Sequence, residues 1–190
     1  MYVSSVIIGD MEKRIAVDLC HGMGGWTVAL LETGWMVYGY DIRRFSEYPA
    51  QSIIQDVRTV SGLNWRGKVS LILASPPCEE FSRHDQPWTR AKNPPAPELG
   101  IQLFRACERI IREAGCPGII ENVRGAQKFV GKAATHWGAY YLWGNVPALL
   151  IPYIKKDWKM KRENVGPRCD RSAIRAKIPS PLADFIARSY

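Results

Sequence analysis

The stretch from Ile15 to Gly34 constrains the fold more than any other. Ile15-Ala16-Val17-Asp18-Leu19 is a short apolar run of strand length. It passes directly into Cys20-His21-Gly22-Met23-Gly24-Gly25-Trp26, and a helical segment, Thr27 to Glu32, follows and closes at Gly34. Strand, glycine-rich turn, helix is the first unit of a Rossmann-like, nucleotide-binding sheet. Glycines at 22, 24 and 25 let backbone approach a bound group where a Cβ would intrude. The spacing is G-x-G-G rather than G-x-G-x-x-G, so it makes no specific case for a dinucleotide pyrophosphate, and a dinucleotide oxidoreductase is disfavoured.

The pattern then repeats. Met36 to Tyr40 reads as a second strand ending in Asp41, and Ser52 to Gln55 as a third ending in Asp56. An acid at the end of the second strand, about 20 residues past the glycine turn, typically bonds ribose hydroxyls. A carboxylate after the third could accept from an adenine amino group. The alternative for each acid is an N-cap or a loop charge. Residues 61–68 read as loop and Val69 to Ala74 as the fourth strand.

That strand delivers Ser75-Pro76-Pro77-Cys78-Glu79-Glu80-Phe81-Ser82. Open α/β sheets hold their ligands at this end of the strands, and the two prolines stiffen the turn. A thiol there is a candidate nucleophile; the alternative is a small buried hydrophobe. Phe81 to Pro97 is polar, basic and proline-rich, and reads as a long loop suited to closing over nucleic acid. Glu98 to Ala114 keeps one apolar face (Leu99, Leu103, Phe104, Cys107, Ile110, Ile111, Ala114) and stops at Gly115 and Pro117, so it is the clearest helix. Cys107 reads as core and Cys116 as structural. Gly118-Ile119-Ile120 is a fifth strand ending at Glu121-Asn122-Val123. In a parallel sheet Glu121 and Cys78 reach the same cleft. Residues 125–135 read as loop. Two strands, 138–143 and 146–151, read as a hairpin turning at Gly144-Asn145, with Tyr140, Tyr141 and Trp143 as sheet aromatics. Ser180 reads as the N-cap of a last helix with Pro181 at its first position.

Strand-helix alternation in 190 residues gives one doubly wound α/β domain with a late β-hairpin. No apolar run approaches the ~20 residues of a membrane span, and Val6-Ile7-Ile8 is too short for a signal peptide core. The cysteines (20, 78, 107, 116 and 169) are odd in number and form no CxxC pair. That favours a reducing cytoplasm and disfavours a disulfide framework or zinc site. Of the net charge of +8, a surplus of six lies in residues 151–177, where nine basic side chains face Asp157, Glu163 and Asp170. Concentrated positive charge suits a polyanion; the alternative is a solvated surface.

Together these residues resemble the C5-cytosine DNA methyltransferases. Asp18-Leu19-Cys20-His21-Gly22-Met23-Gly24-Gly25-Trp26 resembles that family's Asp-Leu-Phe-x-Gly-x-Gly-Gly-Phe. Gln55-Asp56-Val57 resembles Gly-Asp-Ile, and Ser75-Pro76-Pro77-Cys78-x-x-Phe81-Ser82 resembles Pro-Pro-Cys-Gln-x-Phe-Ser. Glu121-Asn122-Val123 matches Glu-Asn-Val. Ile178-Pro179-Ser180-Pro181-Leu182-Ala183 matches the last motif loosely. The resemblance implies an S-adenosylmethionine-dependent methyltransferase that leaves S-adenosylhomocysteine as product. It implies a cofactor site of Asp18, Cys20, Gly22, Met23, Gly24, Gly25, Trp26, Asp41, Ile42, Asp56, Val57 and Pro76. It further implies Cys78 as nucleophile and Glu121 as N3 acid, with Pro77 and Asn122 beside them, acting on a flipped cytosine.

DNA contacts are expected from Ser82, Arg83, His84, Arg90, Lys92 and Arg124, and from Lys161, Arg162, Arg171 and Arg175 in the basic segment. Three departures stand out. Glu79 replaces the glutamine after the cysteine. The Gln-x-Arg-x-Arg motif is not recognisable, with Arg171 or Arg175 as substitutes. The recognition domain has shrunk to a basic remnant at 152–177, too small to fold alone. The expected organisation is an N-terminal leader or extra strand (1–13), a catalytic domain (14–151), the remnant, and a C-terminal helix (178–190) packing back on the catalytic domain. Met11 resembles a second start. The expected activity is C5 methylation of DNA with little sequence preference in the cytoplasm. Its alternatives are the same chemistry on RNA, single strands or free nucleotides, and a non-catalytic subunit whose protein partner supplies target recognition.

Overall fold

The computed structural model describes residues 14–84, 96–150 and 177–190, with the side chains of 83 and 84 excepted. Seven strands form one sheet in the order β3-β2-β1-β4-β5-β7-β6. They are β1 (Ile15–Leu19), β2 (Met36–Asp41), β3 (Gln51–Ile54), β4 (Leu71–Ala74), β5 (Gly118–Asn122), β6 (Thr135–Trp137) and β7 (Tyr140–Gly144). The first five pair in parallel, and only β7 runs against its neighbours. The central strands are apolar almost throughout, because a parallel strand between two helical layers is buried on both sides. Ala16, Val17, Leu19 and Leu71 to Ala74 are all inaccessible.

Alternation along each strand sends its side chains to two separate cores. Val17, Leu19, Ile72, Ala74 and Ile120 pack on one face with Phe104, Cys107 and Ile110 of helix α3 (Pro97–Ala114). Ala16, Leu71, Leu73, Ile119 and Leu142 pack on the other, with helix α1 (Gly25–Glu32) and helix α5 (Ser180–Ser189). Helices on both faces make the sheet doubly wound and Rossmann-like, the fold class expected from the sequence. The strand order reverses between β1 and β4, and this is where such sheets open a crevice. The helix from 98 to 114 begins one residue earlier, at Pro97, and ends on Gly115, whose φ is +70°. Helix α5 packs on α1, and the Trp35 indole donates to the Ala187 carbonyl at 3.2 Å.

Several expected boundaries move. The hairpin turns at Gly138-Ala139 rather than Gly144-Asn145, since Trp137 pairs with Tyr140. Gly138, at φ +60°, takes the first central position of that two-residue loop, as a type II′ turn requires. Gly144-Asn145 instead closes β7 onto the start of β5. Asn145 donates its N–H to the Gly118 carbonyl at 2.9 Å, and its Oδ1 accepts from Gly118 N–H at 3.2 Å. A Cβ on Gly144 would lie 2.2 Å from that same carbonyl. Residues 146–150 are therefore not a strand. The expected loop at 125–135 contains a 3-10 turn (Arg124–Ala126) and helix α4 (Gln127–Val130); that at 61–68 contains a 3-10 turn at Gly62–Trp65. The polar stretch expected to begin as loop at Phe81 starts inside helix α2 (Glu79–His84), because buried Phe81 anchors it beside Gly100 of α3. Strand β4 starts at Leu71, two residues late. Pro179, not Ser180, caps α5, and Ser180 makes no capping hydrogen bond.

Candidate active site

The crevice is built from the C-terminal ends of the parallel strands. At β1 the chain leaves the sheet through Cys20, whose φ of +56° makes it the one non-glycine residue in the left-handed region among the described residues. Gly22 (φ +49°) and Gly24 (φ +74°) continue the turn, and Gly24 is the N-cap of α1. Gly25 is required by contact: a Cβ there would lie 2.5 Å from the Ile178 backbone nitrogen. Asp41 closes the turn from β2. Its Oδ2 accepts from Gly22 N–H and its Oδ1 from Arg43 N–H, both at 3.0 Å.

A polar network lies beneath this turn. The Tyr48 hydroxyl is 2.9 Å from Thr27 Oγ1, which donates to Asp18 Oδ2 at 2.6 Å. Thr27 has one proton, so it accepts from Tyr48. Asp18 Oδ1 is buried with no hydrogen-bond partner. Burial, above all, raises the Asp18 carboxyl from its ordinary 3.8 to about 7. His21 stacks on Tyr48 with ring centroids 3.7 Å apart. Its Nδ1 meets the Gly22 carbonyl and its Nε2 meets Ser52 Oγ, each at 2.8 Å. A carbonyl only accepts, so the proton is assigned to Nδ1 and Nε2 accepts from Ser52. Burial lowers the imidazole's pKa and keeps the ring neutral. Neither His21, Tyr48 nor Ser52 stands out as a site residue in the sequence. The close packing over Gly39, where a Cβ would lie 2.2 Å from the Tyr48 hydroxyl, depends on the folded chain.

Two expected cofactor contacts point elsewhere. Val57 is buried in the α3-side core. The Cys20 side chain packs on that core too, where the neighbouring Cys107 thiol and burial raise its pKa. Neither lies in a strand, but both side chains are apolar and the turns leaving β1 and β3 deliver them to the core. Asp56 is the N-cap of a 3-10 turn, accepting from Arg58 N–H at 2.9 Å and forming an ion pair with the Arg58 guanidinium at 2.5 Å. Those bonds, first the side-chain one, lower its pKa. Ile42 is 66% exposed at the end of β2. Gly22, Met23 and Gly25 are half-buried, and Trp26 is buried.

The other side of the crevice is formed by β4 and β5. Ala74 pairs with Ile120, so Ser75 and Glu121 are the next residues along adjacent strands and share a face. Pro76 is buried and Pro77 is exposed. Asn122, fully buried, braces the turn: its Nδ2 donates to the Pro76 carbonyl at 2.9 Å and its Oδ1 accepts from Val123 N–H at 2.9 Å. Cys78 immediately precedes α2, its carbonyl accepting from Ser82 N–H at 2.9 Å. Burial and the nearby Glu121 carboxyl push the thiol up to about 11, against a hydrogen bond from Ser82 that lowers it. Poor solvation pushes half-buried Glu121 from 4.5 to about 8, and a hydrogen bond from Ser75 works against that rise. The structure thus brings Cys78, Glu121, Asn122 and the two prolines together. Arg124 is exposed one turn after β5. Arg90, Lys92, Lys161, Arg162, Arg171 and Arg175 lie outside the described residues, as do the side chains of Arg83 and His84.

Among the described residues, no group of three His, Cys, Asp or Glu side chains could hold a metal ion, and no helix is long and apolar enough to cross a membrane. The residues at the glycine turn fit S-adenosylmethionine. A Cβ built on Gly22 meets nothing within 4 Å, so the turn faces open space. Asp41 and exposed Ile42 offer a carboxylate and an apolar surface beside it, and Asp18 Oδ1 is an unpartnered buried acceptor.

No protein-family model matches the chain, and no curated protein sequence does. Solved structures similar to it include a candidate DNA modification methyltransferase encoded within an E. coli prophage. That comparison has 19% identity and a TM-score of 0.46, covering 63% of this chain and 35% of the other. The Dnmt2 methyltransferase of S. pombe is 19% identical with a TM-score of 0.39, covering 61% and 36% respectively. The glycopeptide N-methyltransferase MtfA, solved with S-adenosylmethionine, is 13% identical with a TM-score of 0.35, covering 70% and 59%. This chain thus spans little more than a third of the length of the first two.

Proposed function

We propose that the protein methylates C5 of cytosine in DNA, with S-adenosylmethionine as methyl donor and Cys78 as covalent nucleophile. The observation that carries this reading is the pairing of a thiol and a carboxyl at adjacent strand ends, the carboxyl poised to be neutral near pH 7. C5 of cytosine is a weak nucleophile. Once the Cys78 thiol has given its proton to a base, bond formation between Sγ and C6, with the Glu121 proton passing to N3, makes C5 enamine-like. Bound in the crevice, S-adenosylmethionine supplies an electrophilic methyl group. After transfer the C5 proton leaves to a base, the Cys78–C6 bond breaks, and N3 returns its proton. Glu121 must therefore be protonated at the start, and its poor solvation provides that. Asn122 holds the Pro76 carbonyl and so fixes the turn that presents the thiol. Asp41, Ile42 and the glycine turn hold the cofactor, and the basic segment holds the phosphates.

Transfer of tritiated methyl to DNA tests this. It is expected in the native protein and lost in Cys78→Ala and Glu121→Ala, with cofactor binding retained in both; absence of transfer to any DNA under cofactor-binding conditions overturns it. Covalent trapping on 5-fluorocytosine oligonucleotides separates duplex DNA from RNA, single strands and free nucleotides. A second reading, a subunit needing a protein partner, is favoured by one observation: the Cys78 thiol is held up to about 11, well above an activated nucleophile's range. Cofactor binding without trapping, restored by a partner, is its signature.

A further inference from the structure

We infer that Ser75 is a positioning residue for the acid proton of Glu121, and that the indole N–H of Trp26 holds Ser75 in that role. The inference rests on the proposed part of Glu121 in methyl transfer. Trp26 Nε1 donates to Ser75 Oγ at 2.9 Å. An indole nitrogen only donates, so Ser75 accepts there and keeps its one hydroxyl proton for another partner. That partner is Glu121, its neighbour on the same face of the next strand. The Ser75 hydroxyl lowers the Glu121 pKa, as a donor to that carboxyl does.

The consequence is directional. A Glu121 oxygen that accepts from Ser75 is not the oxygen carrying the acid proton, so the proton sits on the other oxygen. When that proton passes to N3 of the base, the hydroxyl bond to the remaining carboxylate strengthens, because bonds to an ionised acceptor are stronger. Ser75 neither gains nor loses a proton. Among the described residues, the titratable group facing Glu121 is Cys78, from the turn after β4. On β7 its register partner is the apolar Leu142, and from α1 it meets the network through Trp26. No described cation competes with the hydroxyl for the carboxylate in setting its protonation. Trp26 directly follows the glycine turn, so one indole ties the cofactor loop to the catalytic acid.

The experiment is an NMR titration of protein labelled with carboxyl-13C glutamate, the Glu121 signal being identified by its loss in Glu121→Gln. In Ser75→Ala the Glu121 midpoint is expected to rise by roughly one pH unit, the size of one hydrogen bond to a charged group. Ser75→Thr, which keeps the hydroxyl, restores it. Trp26→Phe, which keeps the ring and loses the N–H, moves it the same way by less. In the transfer assay the alkaline limb shifts with the NMR midpoint, and kcat falls while KM for the cofactor stays within about twofold of the native value. An unchanged Glu121 midpoint in Ser75→Ala that melts like the native protein overturns the inference, even if methyl transfer is seen. If the native protein transfers no methyl group but the midpoint moves as stated, the hydrogen-bonded positioning stands and the methyltransferase reading alone fails.

Discussion

The two sides of the crevice place carboxyl groups in equivalent positions and give them opposite chemistry. Asp56 follows β3 and Glu121 ends β5. Asp56 is bonded by a backbone N–H and a guanidinium, which hold its pKa down. Glu121 is bonded by a serine hydroxyl in a poorly solvated cleft, which leaves its pKa up at about 8. Asp41, at the end of β2, resembles Asp56: both of its oxygens take backbone N–H groups. Topology decides where an acid stands, and its donors decide whether it can act as one. On the proposed reading the β1–β3 side binds the cofactor and the β4–β5 side handles protons.

The largest expected effect tests the second half of that division. Glu121→Gln keeps shape and hydrogen bonding but has no acid proton, and should lower kcat by about 10²–10⁴-fold, the usual contribution of a positioned acid. Cys78→Ser should cost at least as much. In the native protein, activity should fall as pH rises through about 8, where Glu121 loses its proton. A native rate flat through that range, measured by methyl transfer, would remove the acid role from Glu121.

The next effect concerns Asp18, the other acid with a raised pKa. Its carboxyl titrates near 7 in the folded chain and near its ordinary 3.8 when unfolded. Between those values the folded state binds a proton that the unfolded state has lost. The contribution of Asp18 to stability is therefore full below about pH 4 and declines as pH rises to about 7, by on the order of 4 kcal/mol at most. Asp18→Asn, which still accepts from Thr27, removes this titration. Glu121, raised from 4.5 to about 8, adds a decline of the same sign, so urea melts at about pH 5 and about pH 8 should differ more in the native protein than in the variant. An equal pH 5 to pH 8 difference in native protein and variant would show that Asp18 is ionised when folded.

How much of this was legible in the sequence follows from range. The glycine turn, the strand ends with Asp41, Cys78 and Glu121, and helix α3 depend on local chemistry and period, and each lies within a residue or so of its expected place. The hairpin did not, because Gly144-Asn145 looks like a turn until Gly118 is seen opposite it. The helical turn at Glu79–His84 was hidden by the polar run that follows it. Ser75 was read as the start of a motif, and its bond to Trp26 spans 49 residues of chain, beyond any local signal.

On the binding side the effects are smaller. Asp41→Asn should raise KM for S-adenosylmethionine by about tenfold, one charged hydrogen-bonding group's worth, with kcat within about threefold of native. A fall in kcat matching that of Glu121→Gln would erase the distinction between the two sides.

The smallest effect is expected at Asp56, and it is the sharpest test of what donors do to an acid. By motif this residue bonds the adenine amino group; by geometry its oxygens are engaged by Arg58. A carboxylate already paired with a guanidinium gains little from a neutral amino donor, and an asparagine can cap the turn as well as aspartate does. Asp56→Asn should therefore change KM for the cofactor by less than about threefold and stability by less than about 1 kcal/mol. Arg58→Ala separates the two descriptions further. It frees the carboxylate from its ion pair, so a role in holding adenine would then show as tighter cofactor binding, and a purely capping role as no change. Calorimetry on the two variants decides between them, since the motif reading requires Asp56→Asn to weaken binding and Arg58→Ala to strengthen it.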